Sequence, residues 1–342
     1  MNRRIGERTL LFRSEPRIRS AAAVVAKNEG DGAFGGRFDV VLDDDKYGEE
    51  SFEKAECKMF RTAALLACQK AGLAPMDIRA MLAGDLLNQL ITANFAARDL
   101  GVPFLGLYGA CSTMAESLLL GSILVDGGYC SPVLCCASSH FSTAERQYRF
   151  PLEMGTTAPP TAQRTVTGAG AVLLSEGDVP LPLFSHVVVT AATIGRVVDL
   201  GITDMNNMGA AMAPACCDTI LAHLNDTGSD LADYDLVVSG DLGTFGSEML
   251  LDLAKKRKLD LTDRYLDCGA SIFTPEQNFS CGGSGAGCSS VMLASELLGR
   301  IERGEVERML FLATGALMSP TSGLQGESIP GIAHAVVLER RS

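Results

Sequence analysis

Eleven cysteines and four histidines carry most of the nucleophilic and proton-transferring chemistry open to this chain. Cys111 stands in Gly109-Ala110-Cys111-Ser112-Thr113, immediately before an apolar run with helical spacing. At a helix start a thiolate is stabilised by the positive end of the helix dipole and by free backbone N–H groups. The N–H groups of Ser112 and Thr113 would make the same turn an anion site. The plainer reading is a small apolar residue packed at a tight helix start. A second cluster runs from Ser138 to Pro151 and holds His140, Arg146 and Arg149. An arginine fork can grip a carboxylate through two parallel N–H bonds. The competing reading is a solvated or interface loop in which Glu145 neutralises Arg146. Asp85 and Asn88 follow an apolar run at the same end. Asn88 suits either a ligand carboxylate or amide, or a helix N-cap. Gly282, Gly283 and Gly285 allow close backbone approach to a ligand, or simply a tight turn.

Other chemistries are poorly served. No Cys-x-x-Cys pair and no histidine spacing marks a metal site, so no metal or cofactor is expected. Most cysteines sit inside apolar runs such as Val133-Leu-Cys-Cys-Ala137, where they read as packing residues in a reducing compartment. The net charge of −12 disfavours nucleic acid and anionic membrane surfaces as partners. The first residues, Met1 to Arg8, lack an apolar signal core, and Ser112, Glu116 and Ser122 interrupt the most apolar stretch. Neither a signal peptide nor a transmembrane helix is therefore expected, and the chain reads as cytoplasmic.

The elements that position these residues occur twice. Ala83-Gly84-Asp85-Leu86 is echoed by Ser239-Gly240-Asp241-Leu242, and Gly109-Ala110-Cys111-Ser112 by Gly285-Ala286-Gly287-Cys288-Ser289. Each cysteine opens a helical pattern that runs into a strand, Val133 to Ser139 in one half and Met309 to Gly315 in the other. Final strands follow at 171–176 and 335–340. Equivalent landmarks stand 156 to 177 residues apart in the same order, as a duplication with independent insertions would leave them. Residues 52–71 have helical periodicity closed by Gly72, 88–100 read as a second helix, and 103–108 as the strand feeding Cys111. The pattern predicts an α/β protein of two βαβαβ halves, 1–185 and 186–342, with buried sheets sharing a central helix layer. Asp199 to Pro214 has no echo in the first half and reads as a cover over a pocket or partner surface.

A duplicated βαβαβ unit with Gly-Ala-Cys-Ser-Thr at a central helix resembles the thiolase and ketoacyl-synthase superfamily. Within it, the chain is most similar to the stage V sporulation protein AD family. The matching runs include 82–89, 109–113, 125–128, 138–140, 143–147, 165–168, 199–204, 211–215, 282–285 and 313–317. The resemblance implies the thiolase fold, five layers in α-β-α-β-α order. It also implies a role in moving dipicolinic acid across the spore inner membrane in sporulation and germination. The expected partners are dipicolinic acid, alone or with calcium, other membrane proteins of the same system, and a second copy of the chain. The homodimer would form at the edge strand Phe104 to Tyr108. The chain would then lie on the core side of the inner membrane, held there by its partners.

In acyl-transferring relatives the cysteine carries the acyl group while two further groups, usually histidines or His and Asn, stabilise the oxyanion. Here Gly240 and Gly282 fall where the histidines would be, and His140, His186, His223 and His334 lie in neither motif. Cys111 is therefore expected to be a vestigial nucleophile. The ligand-binding residues expected are Asp85, Asn88, Cys111, Ser112, His140, Arg146, Arg149, Gly282, Gly283 and Gly285. Two alternatives stand beside this binding protein: a thiolase-type acyltransferase using Cys111, and a purely structural subunit with an empty pocket.

Overall fold

The computed structural model describes residues 3–148, 158–177 and 186–341. The first half supplies strands β1 (Arg17–Val25), β2 (Ala80–Gly84), β3 (Phe104–Gly106), β4 (Val133–Ser139) and β5 (Gly168–Ser175). They lie side by side in the order β1-β5-β4-β2-β3. The second half supplies β6 (Val187–Thr193), β7 (Leu236–Ser239), β8 (Tyr265–Asp267), β9 (Arg308–Ala316) and β10 (Gly331–Arg340). Their order is β6-β10-β9-β7-β8, which repeats the first arrangement strand for strand. Directions repeat too, the first three strands of each set antiparallel and the last three parallel. The two sheets touch edge to edge where Val188 pairs with Arg17, and a short strand, Thr9–Leu11, pairs with β6.

Side-chain alternation along the strands sorts the apolar residues into three cores. On β5, Val172 and Leu174 face the middle of the molecule while Ala171 and Leu173 face outward. Cys135 and Cys136 part in the same way, as adjacent strand residues must. The outer face of the first sheet is covered by α1 (Phe52–Lys70) and α2 (Ile91–Leu100) through Met59, Phe60 and Ala96. The outer face of the second is covered by α5 (Met208–Thr227) and α6 (Gly243–Lys256) through Met212, Ile220 and Leu250. Between the sheets lie α3 (Thr113–Asp126) and α7, which runs from Ala286 through a wide turn at Leu293–Leu297 to Glu302. The fold is the five-layer α-β-α-β-α arrangement. Each fully buried Leu, Ile or Met in these layers contributes about 1.5–3 kcal/mol of transfer free energy.

The buried middle helix α3 satisfies Ser117 locally. Ser117 Oγ, fully buried, donates to its own helix at Met114 O, 2.9 Å away. Among the described residues no cysteine is in a disulfide.

Three local expectations are corrected. The second helix begins at Ile91, not Asn88, because Leu90 takes a left-handed φ of 58° and holds 85–90 as a loop. Residues after β4 are a helix, α4 (Phe141–Tyr148), and not the loop of the competing reading. Residues 208–227 do have a first-half counterpart: α5 follows β6 as α1 follows β1. That equivalence lives in topology and leaves no trace in the sequence.

Candidate functional site

Cys111 is set at the junction of the two halves. After β3 the chain turns through Ala110, a non-glycine residue at φ 49°, into a single 3₁₀ turn at Ala110–Ser112 that leads into α3. The tight turn spends its own donors. Ser112 N bonds to Gly109 O at 2.9 Å, and Thr113 N bonds to Ala110 O. The anion site expected from these two N–H groups is therefore absent, and Ser112 is fully buried with its hydroxyl on Gly109 O at 2.7 Å.

Cys111 forms part of the floor of a cleft of about 480 Å³. One wall is the loop after β2, Asp85 to Leu90; others are Ala144 and Tyr148 of α4, with Thr165, Ser284, Gly285 and Met208. Tyr108 and the segment Ala316–Ser319, with Ser322, form the rim. Among the described lining residues Asp85 is the one carboxylate, and no lysine or arginine is present.

Asp85 shapes this cleft. Its carboxylate accepts from Leu87 N and from Ala93 N, both at 2.8 Å, so it pins the loop and caps α2 together. Burial raises its pKa to about 6 despite those backbone bonds. Behind it Glu56 of α1 is fully buried, with Ser138 Oγ at 2.8 Å and Thr143 Oγ1 at 3.0 Å. Burial first, and the Asp85 charge second, push Glu56 up to about 8. Tyr148 donates to Leu86 O, and burial raises its hydroxyl to about 12.

On the other side stands a residue that the sequence reading passed over. Asp241 is fully buried and accepts from Thr314 Oγ1 at 2.7 Å, from Gly285 N at 2.9 Å and from the Cys111 side chain. Burial raises its carboxyl to about 7, opposed by these bonds and aided by the charge of Asp267. Asp267 in turn accepts from Ser239 Oγ, Leu242 N, Gly243 N and Ala270 N. The repeat carried the signal: Asp241 is the second-half copy of Asp85, but where Asp85 lines the cleft Asp241 is buried behind Cys111.

The glycines at the expected histidine positions are packed, not vacant. A Cβ on Gly240 would lie 3.1–3.2 Å from Ala313, Ser289 and Thr314. A Cβ on Gly282 would meet Gly269 O at 2.3 Å, and its φ is 94°. Gly283 pairs with Arg164 in a short two-stranded ladder, Gly282 O accepts from Arg164 N at 2.8 Å, and neither glycine lines the cleft; Gly285 does.

Two further candidates, His140 and Arg146, lie outside the cleft. His140 is buried away from the cleft, its Nε2 2.7 Å from Asp45 O while its Nδ1 accepts from Ser142 N. Burial holds its pKa below the usual range, so it stays neutral. Arg146 turns outward onto Glu53. Arg149 lies outside the described residues. Of the expected set, Asp85, Asn88, Cys111 and Gly285 come together in the cleft. The structure adds Tyr108, Tyr148 and Met208, and also Thr165 and Ser284, which lie in the matching runs 165–168 and 282–285 but were not read as site residues.

The sequence profile of stage V sporulation protein AD matches residues 6–339. The chain belongs to that family. It is 44% identical over 337 residues to the stage V sporulation protein AD of Bacillus subtilis strain 168, covering 98% of this chain and 97% of the relative. Solved structures with the same fold include a 3-oxoacyl-(acyl carrier protein) synthase III from Aquifex aeolicus, at 16% identity and TM-score 0.57, covering 95% and 99% of the two chains. They also include a single-residue variant of Xanthomonas campestris OleA, at 13% and 0.62, covering 96% and 97%. Human mitochondrial 3-ketoacyl-CoA thiolase in complex with CoA superposes at 14% and 0.58, covering 97% and 99%. These likenesses establish the thiolase fold. The family is named for sporulation, while these fold neighbours are acyl-handling enzymes.

Proposed function

We propose that the cleft at Cys111 is a ligand pocket for dipicolinate, taken alone or with calcium, and that the chain binds this ligand without turning it over. The main support is the floor of the cleft, where Cys111 meets a buried aspartate and not a histidine pair. Gly240 and Gly282 stand where the two oxyanion-stabilising histidines are expected, so the usual side-chain donors of acyl transfer are absent from those positions. The pocket's dimensions and chemistry suit a flat ring. Tyr108, Tyr148 and Leu86 offer apolar faces, and Asn88, Thr165, Ser284, Ser319 and Ser322 offer polar groups for the carboxylates.

Membrane work falls to partners in this reading, since among the described residues no helix is long and apolar enough to cross a membrane. The chain sits at the core side of the spore inner membrane through the membrane proteins of the same system. It pairs with a second copy along β3, an edge strand that carries exposed Leu105 and is followed by exposed Tyr108.

Calorimetric titration of the purified chain with dipicolinate, with and without calcium, tests the proposal. Saturable binding that weakens in Asn88→Ala and is blocked by Ala144→Phe is expected. Absence of heat at millimolar ligand in both conditions overturns it. The acyltransferase alternative rests on the Cys111–Asp241 contact. It requires a thioester on Cys111 after incubation with acyl-coenzyme A, whereas an unchanged intact mass is expected.

A further inference from the structure

The electrostatics of the cleft pose a problem that its shape does not. Dipicolinate carries two negative charges near neutrality. The described lining offers it no lysine or arginine and one carboxylate, Asp85. A second carboxyl, Glu56, lies behind Asp85 with 1% of its surface exposed. An anion entering beside an ionised, poorly solvated carboxylate is repelled strongly, because little water remains to screen the pair.

We propose that the Asp85–Glu56 pair takes up a proton when an anionic ligand enters the cleft, so that ligand affinity is coupled to pH. This rests on the ligand reading above and deepens it. The proton comes from solvent, no bond other than O–H forms, and the pair loses one negative charge as the ligand brings its own.

The surroundings are built for a neutralised pair. From α1 comes Glu56 itself, while Glu53 on the same helix turns to Arg146. The end of β4 contributes the Ser138 hydroxyl, and α4 contributes the Thr143 and Tyr148 hydroxyls. The loop and α2 contribute the N–H groups of Leu87 and Ala93. The 3₁₀ turn contributes the Cys111 thiol, with Asp241 beyond it. The interactions described for the pair come from hydroxyls, backbone N–H groups and each other's charge, with no arginine or lysine among them. In the empty cleft the two carboxyls are already raised, Asp85 to about 6 and Glu56 to about 8, so they exchange protons in the range where a further negative charge acts on them.

Calorimetry with sodium dipicolinate in two buffers of different ionisation enthalpy, across the neutral range, reads the proton count directly. Uptake approaching one proton per ligand is expected, with affinity falling by up to about tenfold per pH unit as the pair ionises. Adding calcium, which neutralises the ligand's charge, is expected to reduce the uptake. Whatever affinity the Glu56→Gln/Asp85→Asn double variant keeps, its binding is expected to carry no proton uptake and no pH dependence. Saturable binding by the wild-type chain with no proton uptake overturns this inference while leaving the ligand assignment standing. Uptake persisting at the wild-type level in the double variant overturns the assignment to this pair. No binding at all removes the ligand assignment, and the coupling falls with it. The wild-type two-buffer measurement decides the matter even if the double variant fails to fold.

Discussion

Replacing Asp241 by Asn gives a direct test of how this buried carboxyl is held. Its pKa is raised from about 3.9 in an unfolded chain to about 7 in the fold, chiefly by burial. A group raised in this way binds more protons folded than unfolded, so its contribution to stability is greatest in acid. That contribution is lost as pH climbs toward the folded value. Integrated from about pH 5 to about pH 8, the loss from this one group comes to roughly 2–3 kcal/mol. An asparagine is neutral throughout and fits the site: its oxygen can accept from Gly285 N while its amide donates to Thr314 Oγ1, a hydroxyl free to reverse its role. At about pH 5 the variant is expected within about 1 kcal/mol of the wild type. At about pH 8 it should have gained roughly 2–3 kcal/mol relative to it. Urea unfolding across this range reads the difference. With a slope of about 3 kcal/mol per molar for a chain of this size, the relative midpoint should move by nearly 1 M. Parallel pH profiles for the two proteins would refute the reasoning, and so would a variant that fares worse in alkali than in acid.

Gly282→Ala is expected to destabilise by about 2–4 kcal/mol, since the added carbon meets Gly269 O at 2.3 Å on a backbone at φ 94°. Gly326→Ala, at φ 75° with open space around it, should cost about 1 kcal/mol, and thermal melts of the pair separate clash from backbone strain. Arg146→Ala should leave dipicolinate affinity within about twofold and stability within about 1 kcal/mol, because its partner is Glu53 on a half-exposed surface. A loss of binding there would return the arginine to the pocket. Leu105→Asp should convert the dimer to monomer in light scattering at micromolar concentration, because it places a charge on the edge proposed to pair. An unchanged mass would move the interface elsewhere.

The sequence by itself determined the fold class and the place of the nucleophile. Apolar alternation and helical spacing mark each element, and two copies in the same order constrain one another. The Gly-Ala-Cys-Ser-Thr run therefore fixed Cys111 at the start of a central helix. The repeat even paired Asp85 with Asp241, although only Asp85 was read as a site residue. Asn88 and Gly285 could be placed near Cys111 from the sequence because one lies in the loop after a strand and the other just before a helix.

Tertiary structure decided which side chains reach the cleft. His140 looked available next to a strand end, but the chain enters α4 at once and its ring is used by Asp45 O and Ser142 N. Arg146 lies on the face of α4 that meets Glu53, a residue far upstream in the chain. Ser112 lost its expected role because a 3₁₀ turn consumes the donors that an open helix end would leave free. The contacts of Asp241 with Cys111, Thr314 and Gly285 join three separate stretches of the chain. Sequence periodicity reports only which face of an element is buried. What a buried polar atom meets there depends on how distant segments pack, because in the absence of water each such atom must find its partner from whichever segment lies opposite.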